Sequence, residues 1–198
     1  MITQIFGLPG SGKTTYLAAL AVRAARGRPL RVGFTSLQSI DRYDRIYSNA
    51  PIKGTIHLPL EYLGHYSPRR SLVLVDESVM IADSRDYRSL DKSLMMFFKQ
   101  HRKYECDIVL CSQGYKDNDL RIRDLVGQLL YVENVGFGRS RVSTVDKSQS
   151  IDKTIEERYT LGGFFHRKTF FRKRFYSYFD TMYIHGKPLP NMPDLPLW

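Results

Sequence analysis

The sequence predicts a three-layer α/β domain built on a mostly parallel central sheet. Short apolar strands alternate with stretches of helical periodicity over the first two thirds of the chain, as in folds whose parallel strands are joined by helices. Two runs, SLVLVDES and CDIVLCSQ, hold continuous apolar stretches, which is typical of strands covered on both faces. A glycine-rich loop follows the first strand, and this order is typical of a P-loop nucleotide-binding fold.

Length and composition limit the class of protein. The 198 residues are enough for one sizeable core, and 42% hydrophobic residues predict a folded chain. We expect a P-loop domain over residues 1–185, with its core in 1–135 and edge extensions in 136–185, followed by a proline-rich tail over 186–198. The net charge of +10 favours a polyanionic partner or an acidic lipid surface, although a soluble protein can be basic without either.

Cysteine content and hydropathy bear on the compartment. Cys106 and Cys111 are too few for a disulfide scaffold and lack metal-ligand spacing, so we expect two reduced core thiols. No signal-peptide pattern is present, and no apolar run approaches the roughly 18 residues that span a bilayer. The sequence therefore predicts a soluble, intracellular chain.

The N-terminal elements follow in order. ITQIF is predicted to be a strand that ends at Gly7, and TTYLAALAVRAAR is predicted to be a helix because it is rich in alanine and leucine. PLRVGF is predicted to be a second strand. The stretch from residue 35 to 70 carries three prolines, and we expect short helices and turns there.

The later elements complete the alternation. SLDKSLMMFFKQHRKY has apolar residues at helical spacing, DLRIRDLVGQ is predicted to be a turn and a helix, and LLYVENV is predicted to be a fifth strand. After Gly136, partial alternation and glycine turns predict hairpin-like extensions at the sheet edge. The proline-rich end is predicted to be extended.

The loop after the first strand fits the pattern G-x-x-x-x-G-K-[ST], whose backbone amides bind phosphates. Lys13 is expected to reach the β- and γ-phosphates of ATP, and the Thr14 hydroxyl to bind Mg²⁺. A chance match is the alternative, but the motif stands between a predicted strand and helix, as the chemistry requires. The expected nucleotide-binding residues are Gly7, Gly10, Ser11, Gly12, Lys13, Thr14 and Thr15.

A second motif, which is acidic, distinguishes P-loop proteins that hydrolyse the nucleotide from those that use it otherwise. LVLVDE delivers Asp76 and Glu77 at the carboxyl end of a buried strand. Asp76 is suited to hold Mg²⁺ and Glu77 to activate a water as general base. Two solvated acids at a strand end are the alternative. The acid pair also argues against a small-molecule kinase, which must avoid hydrolysis.

Further catalytic candidates follow the next strand. If DIVLCSQ lies between the P-loop strand and the Asp76 strand, Gln113 emerges near the γ-phosphate and can sense it or orient water; a surface amide is the alternative. Assembly-dependent hydrolysis often recruits an arginine from a neighbouring subunit. Arg102, Arg121 and Arg123 are candidates, and we assign Arg123 to this role.

These residues together resemble the N-terminal ATPase domain of the zonula occludens toxin (Zot)-like family, which includes filamentous-phage assembly proteins. SLVLVDES looks like its Walker B strand, and FFKQHRKYECDIVLCSQ looks like its distinctive block of His-Arg followed by an apolar strand ending in Ser-Gln. FRKRFYSYFDTMYIH is similar to its closing pattern. The resemblance covers almost the whole chain, from Met1 to about His185.

The resemblance implies a RecA-like P-loop fold related to the FtsK and HerA DNA pumps, with ATP hydrolysis coupled to moving phage DNA. It implies that Lys13 and Thr14 bind nucleotide and Mg²⁺, that Asp76 and Glu77 are the Walker B acids, and that Gln113 is the sensor. It also implies a homo-oligomer such as a hexameric ring, single-stranded phage DNA and other phage assembly proteins as partners. The expected location is the host cytoplasm, at the cytoplasmic face of the inner membrane.

Two departures from the family pattern stand out. Ser78 follows the acid pair where the family often has Ala-Gln. Filamentous-phage relatives continue into a transmembrane helix, which this sequence lacks, so we expect a cytoplasmic fragment or a short member that uses a membrane partner.

A basic and aromatic segment supports a DNA partner. Cations interleave with phenylalanines between Arg158 and Arg174, where they could track phosphates and stack on bases, or simply form a solvated edge strand. The competing function is a nucleotide-switched adaptor that recruits a membrane or capsid partner with little turnover.

Overall fold

The computed structural model describes residues 1–66, 68–79, 92–149, 157–161 and 166–179. Within these ranges, nine strands form one mixed sheet in which six neighbouring strands are parallel. The predicted three-layer, mostly parallel α/β P-loop fold is confirmed. The predicted tail over 186–198 and the boundary at 185 lie outside the described residues.

The parallel part of the sheet consists of six strands. They are β1 (Ile2–Phe6), β4 (Arg45–Ser48), β5 (Ile56–His57), β6 (Ser71–Val75), β7 (Asp107–Ser112) and β8 (Gln128–Asn134). Their order in the sheet is β8-β1-β7-β6-β4-β5. The strand β7 therefore lies between the P-loop strand β1 and the acid strand β6, which is the arrangement on which the expectation for Gln113 depends.

The predicted extensions are antiparallel strands added to one edge. The strand β9 (Arg139–Gln149) pairs with β8, and both β10 (Glu157–Leu161) and β11 (Arg167–Phe171) pair with β9. A 3₁₀ segment over Arg172–Tyr178 follows and packs against the first helix. Two phenylalanines of the predicted basic segment, Phe164 and Phe165, lie outside the described residues.

Two expectations for the first third of the chain are met only in part. PLRVGF does not enter the central sheet: only β2 (Arg31–Val32) forms there, paired with β3 (Thr35–Ser36) in a separate two-stranded ribbon. The stretch from 35 to 70 holds a short 3₁₀ helix over Leu60–Tyr62, as expected, but it also contributes β4 and β5 to the main sheet. These strands are four and two residues long, too short to show the period of a strand.

Helices cover both faces of the sheet. On one face α1 (Lys13–Ala25) packs on apolar residues such as Leu72 and Leu74, and on the other α2 (Lys92–Gln100) packs on Val73 and Val75. The alternation along β6 thus divides the core into two apolar layers. A single helical turn, α3 (Leu120–Arg123), precedes β8.

The structure also shows the state of the two cysteines and the lengths of the helices. Cys106 and Cys111 are both buried and free, which confirms the expected core thiols. Among the residues described, none of the helices has the length and apolarity that a bilayer crossing requires.

Candidate nucleotide-binding site

The candidate site lies where three parallel strands end at the same edge of the sheet. The glycine-rich loop over residues 7–15, called the cradle below, follows β1. Asp76 and Glu77 follow β6, and Gln113 follows β7. The backbone amide of Gly7 donates to the carbonyl of Gln113 at 3.2 Å, so the first cradle residue is attached to the neighbouring strand end. The strand order thus brings together three segments that are distant in sequence.

The cradle is a closed backbone loop. Gly10 and Gly12 have φ angles of +72° and +100°, a region that favours glycine. Lys13 Nζ donates to the carbonyls of Gly7 at 2.7 Å and Leu8 at 3.1 Å, which folds the lysine back over the loop. The amide of Ser11 also donates to Leu8. The loop is therefore held in shape by its own backbone and by the lysine.

The start of α1 completes the cradle. The helix begins at Lys13, within the motif, and its first-turn amides give this end a partial positive charge. The Ser11 hydroxyl is buried and has no hydrogen-bond partner among the described residues, while Thr15 is buried in the first turn. An unpaired hydroxyl beside glycines and a helix N-terminus fits a phosphate oxygen.

Thr14 and Asp76 join the cradle to the acid strand. The Thr14 hydroxyl donates to Asp76 Oδ2 at 2.7 Å, and the Asp76 side chain is largely buried. Hydroxyl and carboxylate oxygens are the ligands that Mg²⁺ prefers, so this donor set fits the metal expected with ATP. Thr14 and Asp76 are the residues that would hold it.

Asn49 fixes Asp76 in place and was not foreseen from the sequence. Asn49 Nδ2 donates to the Asp76 carbonyl at 2.9 Å, and its Oδ1 accepts from the Asp76 amide at 2.7 Å. This buried amide follows β4, which lies next to β6. No sequence signal marked it, because the strand that carries it was not recognised.

Glu77 stands apart from the other site residues. Its backbone φ is +51°, which is costly for a residue with a side chain, and its side chain is exposed. The chain then turns back into the protein, since the amide of Ser78 donates to the Cys111 carbonyl at 2.7 Å and its hydroxyl to Asn118 at 2.8 Å. Ser78, the departure from the family pattern, thus holds the turn that projects Glu77.

Gln113 has an exposed side chain beside the cradle. The strand that carries it is fixed by a buried amide, since Gln4 Nε2 donates to the Ser112 hydroxyl at 3.1 Å and to the Tyr115 carbonyl at 3.0 Å. The position meets the condition set from the sequence, and the roles of Gln113 as sensor and Glu77 as base stay predictions.

The candidate arginines differ in their surroundings. Arg121 forms a two-pronged ion pair with Asp119, with both N···O distances at 3.0 Å, and this bond holds the pKa of Asp119 below its usual value. The guanidinium carbon of Arg123 lies 5.2 Å from the Tyr115 ring centroid, and Arg102 is exposed. The action of Arg123 on a neighbouring subunit stays a prediction.

Two residues from the C-terminal edge contact the outer side of the cradle. Arg172 Nη1 donates to the Gly10 carbonyl at 2.9 Å, and the Ser140 hydroxyl donates to the Ser11 carbonyl at 2.6 Å. Asn134 accepts a further bond from Arg172 at 3.3 Å. In the sequence, Arg172 is marked only as one cation of the basic segment. The edge extensions therefore contact the candidate site directly.

Comparison with known proteins supports the fold. The chain is similar to the N-terminal domain of zonular occludens toxin from Neisseria meningitidis, with 18% identity over 90% of this chain and 98% of that chain and a TM-score of 0.51. This likeness is one of fold, and at that level it confirms the predicted resemblance to the Zot-like family.

Weaker likenesses are to viral proteins. The genome packaging NTPase B204 of Sulfolobus turreted icosahedral virus 2, in complex with ATP-gammaS, has 8% identity, 82% and 96% coverage and a TM-score of 0.46. B204, the DNA-packaging ATPase of Sulfolobus turreted icosahedral virus, has 11% identity, 69% and 77% coverage and a TM-score of 0.49. TM-scores below 0.5 are too low to support a conclusion about this chain. No protein-family model and no curated protein matches the chain.

Proposed function

We propose that this chain is an ATP-hydrolysing motor for phage assembly, which couples ATP hydrolysis to packaging or extrusion of phage DNA. The hydrogen bond from Thr14 to Asp76 carries this proposal, because it joins a phosphate cradle to a buried acid across the intervening strand. The likeness in fold to the toxin domain supports a Zot-like ATPase.

The residues divide the work of hydrolysis. Lys13 and the cradle amides bind the triphosphate, and Thr14 and Asp76 would hold Mg²⁺, which would neutralise phosphate charge. Glu77 takes a proton from the attacking water as general base, and Gln113 orients that water or senses the γ-phosphate. Arg123 of a neighbouring copy neutralises charge that develops in the transition state.

The proposed partners follow from the resemblance to the Zot-like family. They are single-stranded phage DNA, further copies of the chain in a ring such as a hexamer, and other phage assembly proteins. The net charge of +10 supports a polyanionic partner. We place the protein in the host cytoplasm, at the cytoplasmic face of the inner membrane, where a further segment or a partner would attach it.

Two substitutions separate nucleotide binding from hydrolysis. Lys13→Ala removes a cradle charge and should abolish both. Glu77→Gln keeps the shape but removes the base, so it should bind a fluorescent ATP analogue like wild type and release phosphate at least about 100-fold more slowly. Wild-type phosphate release in the Glu77→Gln variant would refute the assignment of the base.

The ring and its DNA coupling have a kinetic signature. We expect the hydrolysis rate per subunit to rise with protein concentration, because a neighbour completes each site, and to rise further with single-stranded DNA. Phosphate release is measured across a dilution series with and without an oligonucleotide. A rate per subunit that depends on neither variable would exclude the DNA-coupled ring.

The adaptor remains the second candidate, and the exposure of Glu77 favours it. An exposed carboxylate at this position would suit a site that binds ATP but turns it over slowly. If Lys13→Ala abolishes phage assembly while Glu77→Gln supports it, nucleotide binding is what the phage needs, and the adaptor is correct.

A further inference from the structure

A basic groove opens beside α1, away from the acid strand. Its volume is about 540 Å³, and it lies between α1, the strand β11 and the 3₁₀ segment that follows. Five of its lining residues are cationic, and none of the described lining residues is acidic. The cations are Arg23, Arg26, Arg28, Lys168 and Arg174.

The sequence shows only part of this cluster. Lys168 and Arg174 belong to the basic segment already noted, whereas Arg23, Arg26 and Arg28 come from the end of α1 and the turn after it. Only the pairing of β11 with β9 and the packing of the 3₁₀ segment on α1 bring the two groups together.

The charges of the groove are not neutralised within it. Lys168 is half-buried, and burial, followed by the nearby charge of Arg23, lowers its pKa. Arg23 itself donates from Nε and Nη2 to the Pro29 carbonyl at 3.2 and 2.6 Å, which fixes its position at the helix end. Cations that repel one another at a partly desolvated surface favour an anion between them.

Aromatic rings form the rest of the wall. Phe170 is buried against Tyr16 at a centroid distance of 5.4 Å, but Phe171 is 49% exposed. The guanidinium carbon of Arg174 lies 5.6 Å from the Phe171 centroid. An exposed ring with a cation stacked beside it offers a base both a stacking surface and a phosphate contact.

We propose that this groove is a binding site for single-stranded nucleic acid. Cations on both walls take the phosphodiester backbone, and the Phe171 and Arg174 pair stacks on a base. The inference deepens the proposed function, on which it rests, by locating the DNA contact. A concave site with a ring in its wall suits a polymer of phosphates and bases. A lipid-binding surface would instead present protruding apolar side chains that insert into the bilayer.

The groove is connected to the nucleotide site at two points. The helix α1 begins in the cradle and ends in the groove. Phe171, in the groove wall, is followed directly by Arg172, which donates to the cradle carbonyl of Gly10. A nucleic-acid strand that stacks on Phe171 would therefore lie next to Arg172, whose hydrogen bond to Gly10 shapes the phosphate loop.

The test compares two charge-reversal pairs by fluorescence anisotropy with a labelled oligo-dT, in the absence of nucleotide. Arg26→Glu with Arg174→Glu alters the groove, and Arg69→Glu with Lys103→Glu makes the same change in net charge at exposed sites outside it. We expect the groove pair to weaken binding at least about tenfold and to reduce the slope of log affinity against log salt by about 0.7 for each lost phosphate contact. The control pair should change affinity by less than about twofold.

A third variant separates stacking from charge. Phe171→Ala should weaken binding at least about fivefold with an unchanged salt slope, because it removes a ring and no cation. Equal weakening by both charge pairs would show an effect of net charge alone and overturn the site. Loss of sedimentation with phosphatidylglycerol vesicles in the groove pair, with oligo-dT binding intact, would assign the groove to lipid.

ATP hydrolysis without DNA keeps the two proposals distinguishable. The groove variants should hydrolyse ATP like wild type in that assay, since no groove cation touches the phosphate cradle. If wild type does not bind oligo-dT, the groove proposal is wrong whatever the hydrolysis rate. If wild type binds oligo-dT but hydrolyses no ATP, the proposed motor is wrong and the groove stands.

Discussion

Gly12 is a residue of the cradle that lies against the C-terminal edge. Its φ is +100°, and a Cβ there would lie 2.6 Å from the Ser140 hydroxyl and 3.0 Å from Cδ of Arg172. Any side chain would meet both an unfavourable backbone angle and a steric clash. Gly10 has a φ of +72° with open space around it, so it carries only the first penalty.

Substitution of Gly10 and Gly12 by alanine should therefore lower the free energy of unfolding by different amounts. Gly10→Ala should cost about 1 kcal/mol of unfolding free energy from its backbone angle. Gly12→Ala should cost at least about 1 kcal/mol more, and it should weaken nucleotide binding because Ser140 and Arg172 must move. Urea unfolding and titration with a fluorescent ATP analogue measure both effects. Equal losses in the two variants would mean that the contacts of Gly12 do not matter.

Residues whose chemistry is local could be predicted from the sequence, whereas residues whose roles depend on distant packing could not. Lys13, Thr14 and Asp76 occupy the positions that the motif and the strand end predicted. Asn49 and Arg172 could not be found, because an ordinary amide and one cation among many gain their roles only through strand neighbours. Arg172 and Gly10 are separated by 162 positions.

At the scale of elements, α2 shows what periodicity can predict. Its buried residues follow one stripe, and Phe98 is fully buried, whereas Met96 on the same helix is 52% exposed. The repeat of apolar residues predicted this helix correctly. The strands β4 and β5 were missed because two to four residues cannot display a period, and their place in the sheet comes from pairing with β6 and with each other.

The stripe predicts unequal costs for truncation along this helix. Phe98→Ala should lower the free energy of unfolding by about 3–5 kcal/mol, because it leaves a cavity in the second apolar layer. Met96→Ala, the matched change on the exposed side, should cost less than about 0.5 kcal/mol. Both are measured by urea denaturation. Similar values for the two would place α2 differently against the sheet.

At the scale of the whole molecule, one buried histidine makes stability depend on pH. His101 is buried, and its Nδ1 lies 2.7 Å from the Phe98 carbonyl, while Nε2 has no partner among the described residues. Burial lowers its pKa from the usual 6.5. The unfolded chain therefore takes up this proton at a higher pH than the folded chain, so stability falls as the pH drops through 6.5.

Replacing His101 should reduce this acid sensitivity. We expect wild type to lose more unfolding free energy than His101→Gln when the pH is lowered from about 7.5 to about 5.5, because glutamine takes up no proton. Urea unfolding at each pH gives the difference. His57→Gln, in the exposed strand β5, is the control and should behave like wild type. An equal loss in wild type and His101→Gln would show that His101 does not cause the dependence.

The contact between Arg172 and the cradle also has a consequence for how the protein is made. The ribosome makes the phosphate loop before Ser140 and Arg172, which follow it by some 130 and 160 residues. Until then the carbonyls of Gly10 and Ser11 have only water as donor, and the loop lacks its outer support. A nascent or prematurely terminated chain would thus carry an immature cradle. We therefore expect a fragment that stops before Arg172 to hold the phosphate loop less firmly than a chain that includes it.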